Sequence, residues 1–397
     1  MGWPLVGNLF AFTKAFRSND PDSFINNLVS RYGRTGIYKT HLFGKPSITI
    51  CIPEICRRVM TDDQPFRVGY PTSFMKLIGS VLLASYSPQE HKRVRRLATA
   101  PIVAHNSLAE YIDGIEDLIM NSLEEWSSVN HSIELLKDIK EITFKVMIGI
   151  FLGFNNNSVI AKVGHLFPIM SNALISLPVN VPGFAFHKAL KARRKLARII
   201  QSIIEGRKKV APREGKKDLV DAVLVAKDEN GLKLEDKDII DFFILLLFGG
   251  HESTAVAMMW SVIYLTEHPQ ISRLHTIDQF LFMKSHLLCT KENNVVIDEM
   301  LRKTTITFTT FREAHVNING CYVIPKGWRV LSWVRPVHLD PEYHPNPQQF
   351  IPSRWEDYNV KVGSFIPFGY GSRLCPGMDL AKLEITIFLH YFLLNYK

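Results

Sequence analysis

Cysteine is scarce in this chain: five residues among 397, at Cys51, Cys56, Cys289, Cys321 and Cys375, with no Cys-x-x-Cys pair. That pattern excludes a disulfide-stapled secreted fold and a zinc ribbon, and it suits a reducing compartment. Long apolar runs are missing too. The longest, Phe242 to Phe248, ends at Gly249-Gly250 and falls short of the ~18–20 residues that a bilayer crossing needs. Met1-Gly2-Trp3-Pro4 has neither a charged n-region nor an apolar h-region, and Val6 stands where a myristoylation pattern wants Ser or Thr, so neither a signal peptide nor a lipid anchor is read there. Repeats and low-complexity linkers are absent. The expectation is a soluble or membrane-peripheral chain, with one large domain (residues 1–397) fitting better than two.

What is present is an ordinary globular composition, 46% hydrophobic and 21% charged, with a net charge of +9. Much of the excess lies between Lys188 and Lys217, a basic stretch without interleaved aromatics. It reads as a solvated helix face or a contact with an anionic membrane surface, and no nucleic-acid partner is expected. Apolar spacing predicts helices at Asp22–Tyr32, Pro53–Met60, Pro88–Ala98, Ser107–Trp126, Ile133–Phe151, Phe186–Lys208, Asp236–His268, Glu292–Arg302 and Met378–Asn395. Alternation from Gly36 to Cys51, broken at Gly44-Lys-Pro46, predicts a hairpin. The chain therefore reads as mainly α with a small β portion.

Four clusters of residues carry chemistry. Phe368, Gly371, Arg373, Cys375 and Gly377 satisfy F-x-x-G-x-R-x-C-x-G; the glycines let backbone turn tightly, so that amide N–H groups face a thiolate. Gly249-Gly-His-Glu-Ser-Thr254 interrupts an apolar helix with two glycines, at roughly 1 kcal/mol each, and with an acid that is costly to bury unpaired. Glu299-Met-Leu-Arg302 sets a carboxylate and a guanidinium on one helix face, and Phe350-Ile-Pro-Ser-Arg-Trp355 supplies Arg354 later in the chain. His91-Lys-Arg-Val-Arg95 is a basic stretch with a helical pattern, and Arg312 lies in Phe-Arg-Glu-Ala.

Taken in their order along the chain, these motifs resemble the cytochrome P450 family. Within it, Val179-Asn-Val-Pro-Gly-Phe184, Gly-His-Glu-Ser-Thr-Ala at 250–255 and Ser372-Arg-Leu-Cys-Pro-Gly377 are similar to the plant branch of β-amyrin 11-oxidases and ent-kaurenoic acid oxidases. The resemblance implies the cytochrome P450 fold and heme b, with Cys375 as the axial thiolate to iron. It places Phe368, Gly371, Arg373 and Gly377 in the heme loop, and His91, Arg95, Arg373 and Arg312 on the propionates. Glu252, Ser253 and Thr254 would manage protons and oxygen, Ser253 standing where the family usually has Thr. Glu299, Arg302 and Arg354 would form a structural network.

The implied activity is an NADPH- and O2-dependent monooxygenation fed by an NADPH-cytochrome reductase. Its substrate would be an apolar terpenoid, a triterpene first and a gibberellin-pathway diterpenoid as the alternative. Pocket walls are expected at Tyr70–Leu83, Leu174–Phe186, Leu245–Gly249 and Thr304–Thr310. A monomer on the cytoplasmic face of the endoplasmic reticulum membrane follows from the same resemblance. The ends at Met1 and Lys397 leave out the family's N-terminal anchor and C-terminal β hairpin, and residues 276–294 depart from its pattern. A second alternative is consequently an inactive heme-protein remnant.

Overall fold

A computed structural model describes residues 7–18, 20–79, 87–103, 105–129, 132–154, 156–209, 218–271, 291–317, 323–356 and 360–396. Most of the unusual segment 276–294, Cys289, Cys321 and the wall residues 80–83 lie outside the described residues. The architecture is mostly helical with one small sheet, as expected. The chain forms two compact units, Met1–Pro71 with Asp298–Cys375, and Thr72–Ile297 with Pro376–Lys397.

The first unit is organised by a five-stranded sheet in the order β1-β2-β5-β4-β3. Its strands are β1 Ile37–Leu42, β2 Lys45–Ile50, β3 Phe66–Val68, β4 Thr309–Ala314 and β5 Arg329–Trp333. The β1–β2 hairpin turns at Phe43 and Gly44, both with positive φ (51° and 74°), as a two-residue turn matched to strand twist requires. All neighbours are antiparallel except β2 and β5, which run parallel with Ser47 opposite Arg329. Every residue of β5 is buried. Alternation sends Val330 into a cluster with Ile48, Ile50, Val59 and Met60, while Leu331 and Trp333 enter another with Phe12, Phe24, Leu28 and Leu42. Helices α1 (Leu9–Arg17), α2 (Asp22–Tyr32) and α3 (Pro53–Thr61) provide Phe12, Phe24, Leu28, Val59 and Met60, and the neighbouring strands the rest. The buried Arg329 guanidinium donates to Gly69 O (2.7 Å) and Leu42 O (3.0 Å), tying strand ends together.

The second unit is helical: α4 Thr72–Ile78, α5 Pro88–Val103, α6 His105–Ser128, α7 Leu135–Leu152, α8 Asn157–Val163, α9 Leu166–Ser171, α10 Ala185–Lys209, α11 Leu219–Val225, α12 Asp236–Glu267 and α15 Met378–Asn395. Among the described residues, α13 (Lys291–Thr304, which enters the first unit at Asp298) and the short α14 (Arg335–His338) come between α12 and α15. Helix α12 packs mainly on α7, and also on α15 and α10. It corrects one expectation, for by length and composition it is apolar enough to cross a membrane. Counting uninterrupted apolar residues missed this, because Gly249-Gly-His-Glu-Ser-Thr254 breaks the run while the apolar residues on either side keep the mean hydropathy high. Half of its apolar window is nevertheless buried inside the fold, the position of a core helix. Helix α15 buries Glu384, whose Oε2 has no hydrogen-bond partner among the described residues.

Candidate heme site

In the first unit the cysteine loop folds back on itself: Cys375 N donates to Phe368 O (2.9 Å) and Leu374 N to Gly371 O (3.1 Å). Gly369 and Gly371 have φ of 78° and 73°, which side chains other than glycine's adopt at a cost. Gly371 is constrained twice, since a Cβ there would lie 2.9 Å from Met60 O and 3.0 Å from Thr61 Cα at the end of α3. The half-buried Cys375 contrasts with Cys56, which is fully buried, donates to Ile50 O (3.4 Å) and is pushed up to about 12 by burial. Burial also raises the Cys51 thiol. Both are poor thiolates.

Cations gather beside this loop. Arg312, on β4, is buried, and desolvation lowers its pKa from the ordinary guanidinium range. It donates to Met60 O (2.9 Å) and to Asp63 Oδ1 (3.4 Å), while Ser372 Oγ in the cysteine loop donates to Asp63 Oδ2. Asp63 therefore holds loop and strand together, which nothing in the motif announced. Burial raises the Tyr70 phenol, opposed by the charges of both Arg312 and Arg373. Two guanidinium groups thus act on one place where Asp63 is the carboxylate in contact. A half-buried thiol in a turn closed by glycines, with that cationic side, fits a heme carrying anionic propionates.

A second feature of the first unit is Glu299, fully buried. Arg302 binds it in a fork, Nε to Oε2 at 2.9 Å and Nη2 to Oε1 at 2.8 Å, and Arg354 Nε reaches Oε1 at 3.1 Å. Ile351 N and Trp355 Nε1 also donate to it, each at 3.0 Å. Arg302 continues to His338 O (2.9 Å) and Pro347 O (3.0 Å). Burial alone would raise the Glu299 carboxyl, but the Arg302 fork with the other donors holds it below the usual range. The structure brings Glu299, Arg302 and Arg354 together, with Trp355 as a donor that sequence reasoning did not assign.

In the second unit, the middle of α12 presents Glu252 at the water edge, a quarter exposed, with Oε2 2.7 Å from Lys140 Nζ on α7. His251 beside it is buried between the rings of Phe144 and Phe167. Burial keeps the imidazole neutral at ordinary pH, and its Nδ1 lies 2.8 Å from Leu247 O. Ser253 Oγ donates back to Gly249 O, the i−4 bond that loosens a helix locally. Thr254 is buried. The two glycines differ. A Cβ on Gly249 would meet nothing among the described residues within 4 Å, whereas one on Gly250 would sit 2.5 Å from Met147 Sδ. Open space belongs to Gly249, and Gly250 serves helix contact.

His91, buried, and Arg95, half-buried, share one face of α5 at i, i+4 spacing. Their neighbours point elsewhere: Arg93 pairs with Asp228 (2.5 Å) and Arg96 with Glu229 (2.7 Å). Gly377 caps the start of α15, and its carbonyl accepts from Ala381 N (2.9 Å). Leu77, Ile78, Leu174 and Phe186 form one apolar cluster with Phe74, Leu245 and Phe248 packed against it. These join three of the expected wall segments, while Tyr70 packs on Phe311 in the first unit (5.3 Å).

A helical chain with one small sheet, a glycine-turned cysteine loop and a guanidinium cradle defines a heme-thiolate protein. The cytochrome P450 family model matches residues 1–397, and the chain belongs to that family of heme-dependent monooxygenases. It is 54% identical over 415 residues to a β-amyrin 11-oxidase of Glycyrrhiza uralensis, covering 100% of this chain and 84% of that protein. With ent-kaurenoic acid oxidase 2 of Arabidopsis thaliana it shares 45% over 412 residues, at the same two coverages. Among solved structures, retinoic acid bound cyanobacterial CYP120A1 matches with a TM-score of 0.89 and 27% identity, covering 100% of this chain and 91% of that one.

Proposed function

We propose that the chain, working as a single cytochrome P450 domain, inserts oxygen into a C–H bond of a large apolar terpenoid, a triterpene of the β-amyrin type. The observation that carries this reading is the 54% identity to a β-amyrin 11-oxidase along the whole chain, against 45% for an ent-kaurenoic acid oxidase. Bound heme supplies the oxygen-activating chemistry, and the protein's part is holding, orienting and protonating.

In this reading Cys375 is the thiolate ligand, presented by the loop from Phe368 to Gly377. Arg312 and Arg373, with His91 and Arg95, take the propionates by charge-assisted hydrogen bonds. Glu252 carries protons from water, and Ser253 and Thr254 supply hydroxyls beside the open space at Gly249. Glu299, Arg302 and Arg354 keep the backbone around Pro345–Trp355 in place. The apolar cluster from Phe74 to Phe248 orients the substrate by shape, since its side chains offer no polar anchor. Electrons come from NADPH through a reductase, with the protein as a monomer at the endoplasmic reticulum surface.

Purified protein, reduced under carbon monoxide, should give the red-shifted Soret band of a thiolate-ligated heme, and Cys375→Ser should abolish it. Reconstituted with reductase, NADPH and O2, it should add one oxygen atom to β-amyrin. Turnover of ent-kaurenoic acid alone would replace the triterpene by a diterpenoid, and absence of the Soret band would make the chain an inactive remnant.

A further inference from the structure

Helix α7 contacts the Gly-His-Glu stretch of α12 one residue at a time. Met147 fills the space over Gly250, Thr143 Oγ1 donates to His251 O (3.1 Å), the Phe144 ring lies edge-on to the imidazole, and Lys140 Nζ meets Glu252 Oε2 (2.7 Å). Positions 140, 143, 144 and 147 share one face of a helix. Only the last contact is polar, reaches water and involves a titratable side chain on both helices, with the Lys140 side chain about a third exposed and that of Glu252 about a quarter.

The imidazole gives that contact its direction. A carbonyl can only accept, so the His251 nitrogen at 2.8 Å from Leu247 O, Nδ1, carries the hydrogen. In the neutral ring Nε2 then keeps a bare lone pair, and it faces Glu252 Oε1 at 3.7 Å. Two acceptors facing each other repel. What holds the carboxylate against that repulsion is Lys140; of the other charges on α7, Glu141 and Lys145 pair with each other at 2.9 Å, Lys137 approaches Glu134 at 4.0 Å, and Asp138 lies in the first turn. A proton arriving from water on Glu252 relieves the repulsion, because the new O–H can point at Nε2. It also reduces the Lys140 contact from an ion pair to a hydrogen bond onto a neutral acid, which loosens the hold on the carboxyl.

We propose that Lys140 is a positioning residue for proton supply: it holds Glu252 at the water-facing end of the path, opposite the bare Nε2 of His251, and lets go when the carboxylate is protonated. This rests on the reading of Glu252 as the proton carrier. The step balances as one proton passed from solvent hydronium to Glu252 Oε1: one O–H bond breaks in hydronium, leaving water, and one forms on the carboxyl, with Lys140 keeping its charge and no redox change.

The test uses the full heme-loaded chain with Lys140→Met and Lys140→Arg, and Glu252→Gln as reference. The first readout is product formed per NADPH consumed, for β-amyrin or ent-kaurenoic acid, whichever is turned over. Lys140→Met should lower it about tenfold, as loss of a supporting partner does, with half-saturation by substrate unchanged, and Lys140→Arg should restore it. The second readout needs no turnover. In the infrared spectrum of the resting protein at neutral pH, the carboxylate band missing from Glu252→Gln should shift in Lys140→Met and return in Lys140→Arg.

If Glu252→Gln lowers coupling while Lys140→Met matches the wild type in both readouts, the inference about Lys140 fails and the role of Glu252 stands. If Glu252→Gln couples normally, the proton-carrier reading falls, and this inference with it. Should Lys140→Met not take up heme, Lys140→Gln replaces it under the same two criteria. Loss of heme from both would overturn the proposal in favour of a purely architectural contact.

Discussion

Two glutamates on two helices, Glu299 on α13 and Glu252 on α12, have opposite surroundings. Glu299 is fully buried and saturated, with the Arg302 fork, Arg354, Ile351 N and Trp355 Nε1 all donating to it. Glu252 is partly wet, with the Lys140 ion pair on one side and a weak approach to His251 on the other. The contrast separates two uses of one functional group. A carboxylate with every lone pair occupied cannot change partners, so it fixes backbone; one with an exposed partner can, so it can carry a proton.

The largest effect expected is on the saturated member. Glu299→Gln leaves Arg302 and Arg354 buried without a counter-charge and should cost about 3–5 kcal/mol, read as a lowered denaturation midpoint of the heme-loaded protein. Glu252→Gln should leave that midpoint nearly unchanged, because a solvent-exposed pair contributes only about 0–1 kcal/mol. Its product formation should fall about 10²-fold, the lower range for losing a positioned proton carrier. If both variants lost stability equally, the distinction drawn between the two sites would collapse.

The glycines beside Glu252 sharpen the comparison at a smaller scale. Gly250→Ala places a methyl group on Met147 and should destabilise by about 1–3 kcal/mol. Gly249→Ala, in open space, should if anything stabilise the helix, by up to about 1 kcal/mol, while narrowing the space where substrate or oxygen would sit. Thermal melts of the two variants, taken beside their turnover, distinguish a packing glycine from a site glycine.

Protonation gives the smallest and most diagnostic contrast. The Glu299 carboxyl is held below its ordinary value near 4.5. Its contribution is therefore complete above that value and is lost as pH falls through the lower folded one. Glu384 has the opposite sign: complete burial raises its carboxyl well above 4.5, so stability is lost as pH rises beyond the ordinary value. Glu384→Gln should stabilise the protein at neutral pH, with the gain vanishing below about pH 4. A gain independent of pH would mean that Glu384 is not the neutral acid its burial implies.

Much of the architecture was legible because long helices repeat their apolar spacing. Asp22–Tyr32 and Met378–Asn395 run over the residues that periodicity marks, and Gly371 and Cys375 announce a tight loop through residue type alone. Helices α4, α8 and α11, seven residues each, are too short to show a period. Strands β3, β4 and β5 did not alternate visibly, since β5 is covered on both faces and β3 has only three residues. Helix α5 runs through Pro101 to Val103 although its pattern fades at Ala98. At the site, Glu252 stood out as an acid within an apolar run. Lys140 and Asp63 did not, because their meaning lies in a neighbour far along the chain and one sequence carries no sign of that pairing.

Strand β5 has one more consequence, in the order of synthesis. Arg329 closes on Leu42 O across a separation of 287 residues, and the parallel partner of β2 lies equally far downstream. At about 5–20 residues per second, the ribosome needs on the order of 15–60 s to deliver one after the other. Through that interval β2 has no β5 to pair with, and its hydrogen-bonding groups on that side are open to any passing strand. The sheet that carries Arg312 is thus among the last parts of the protein able to form, and its nascent edge is where a chaperone has the most to protect.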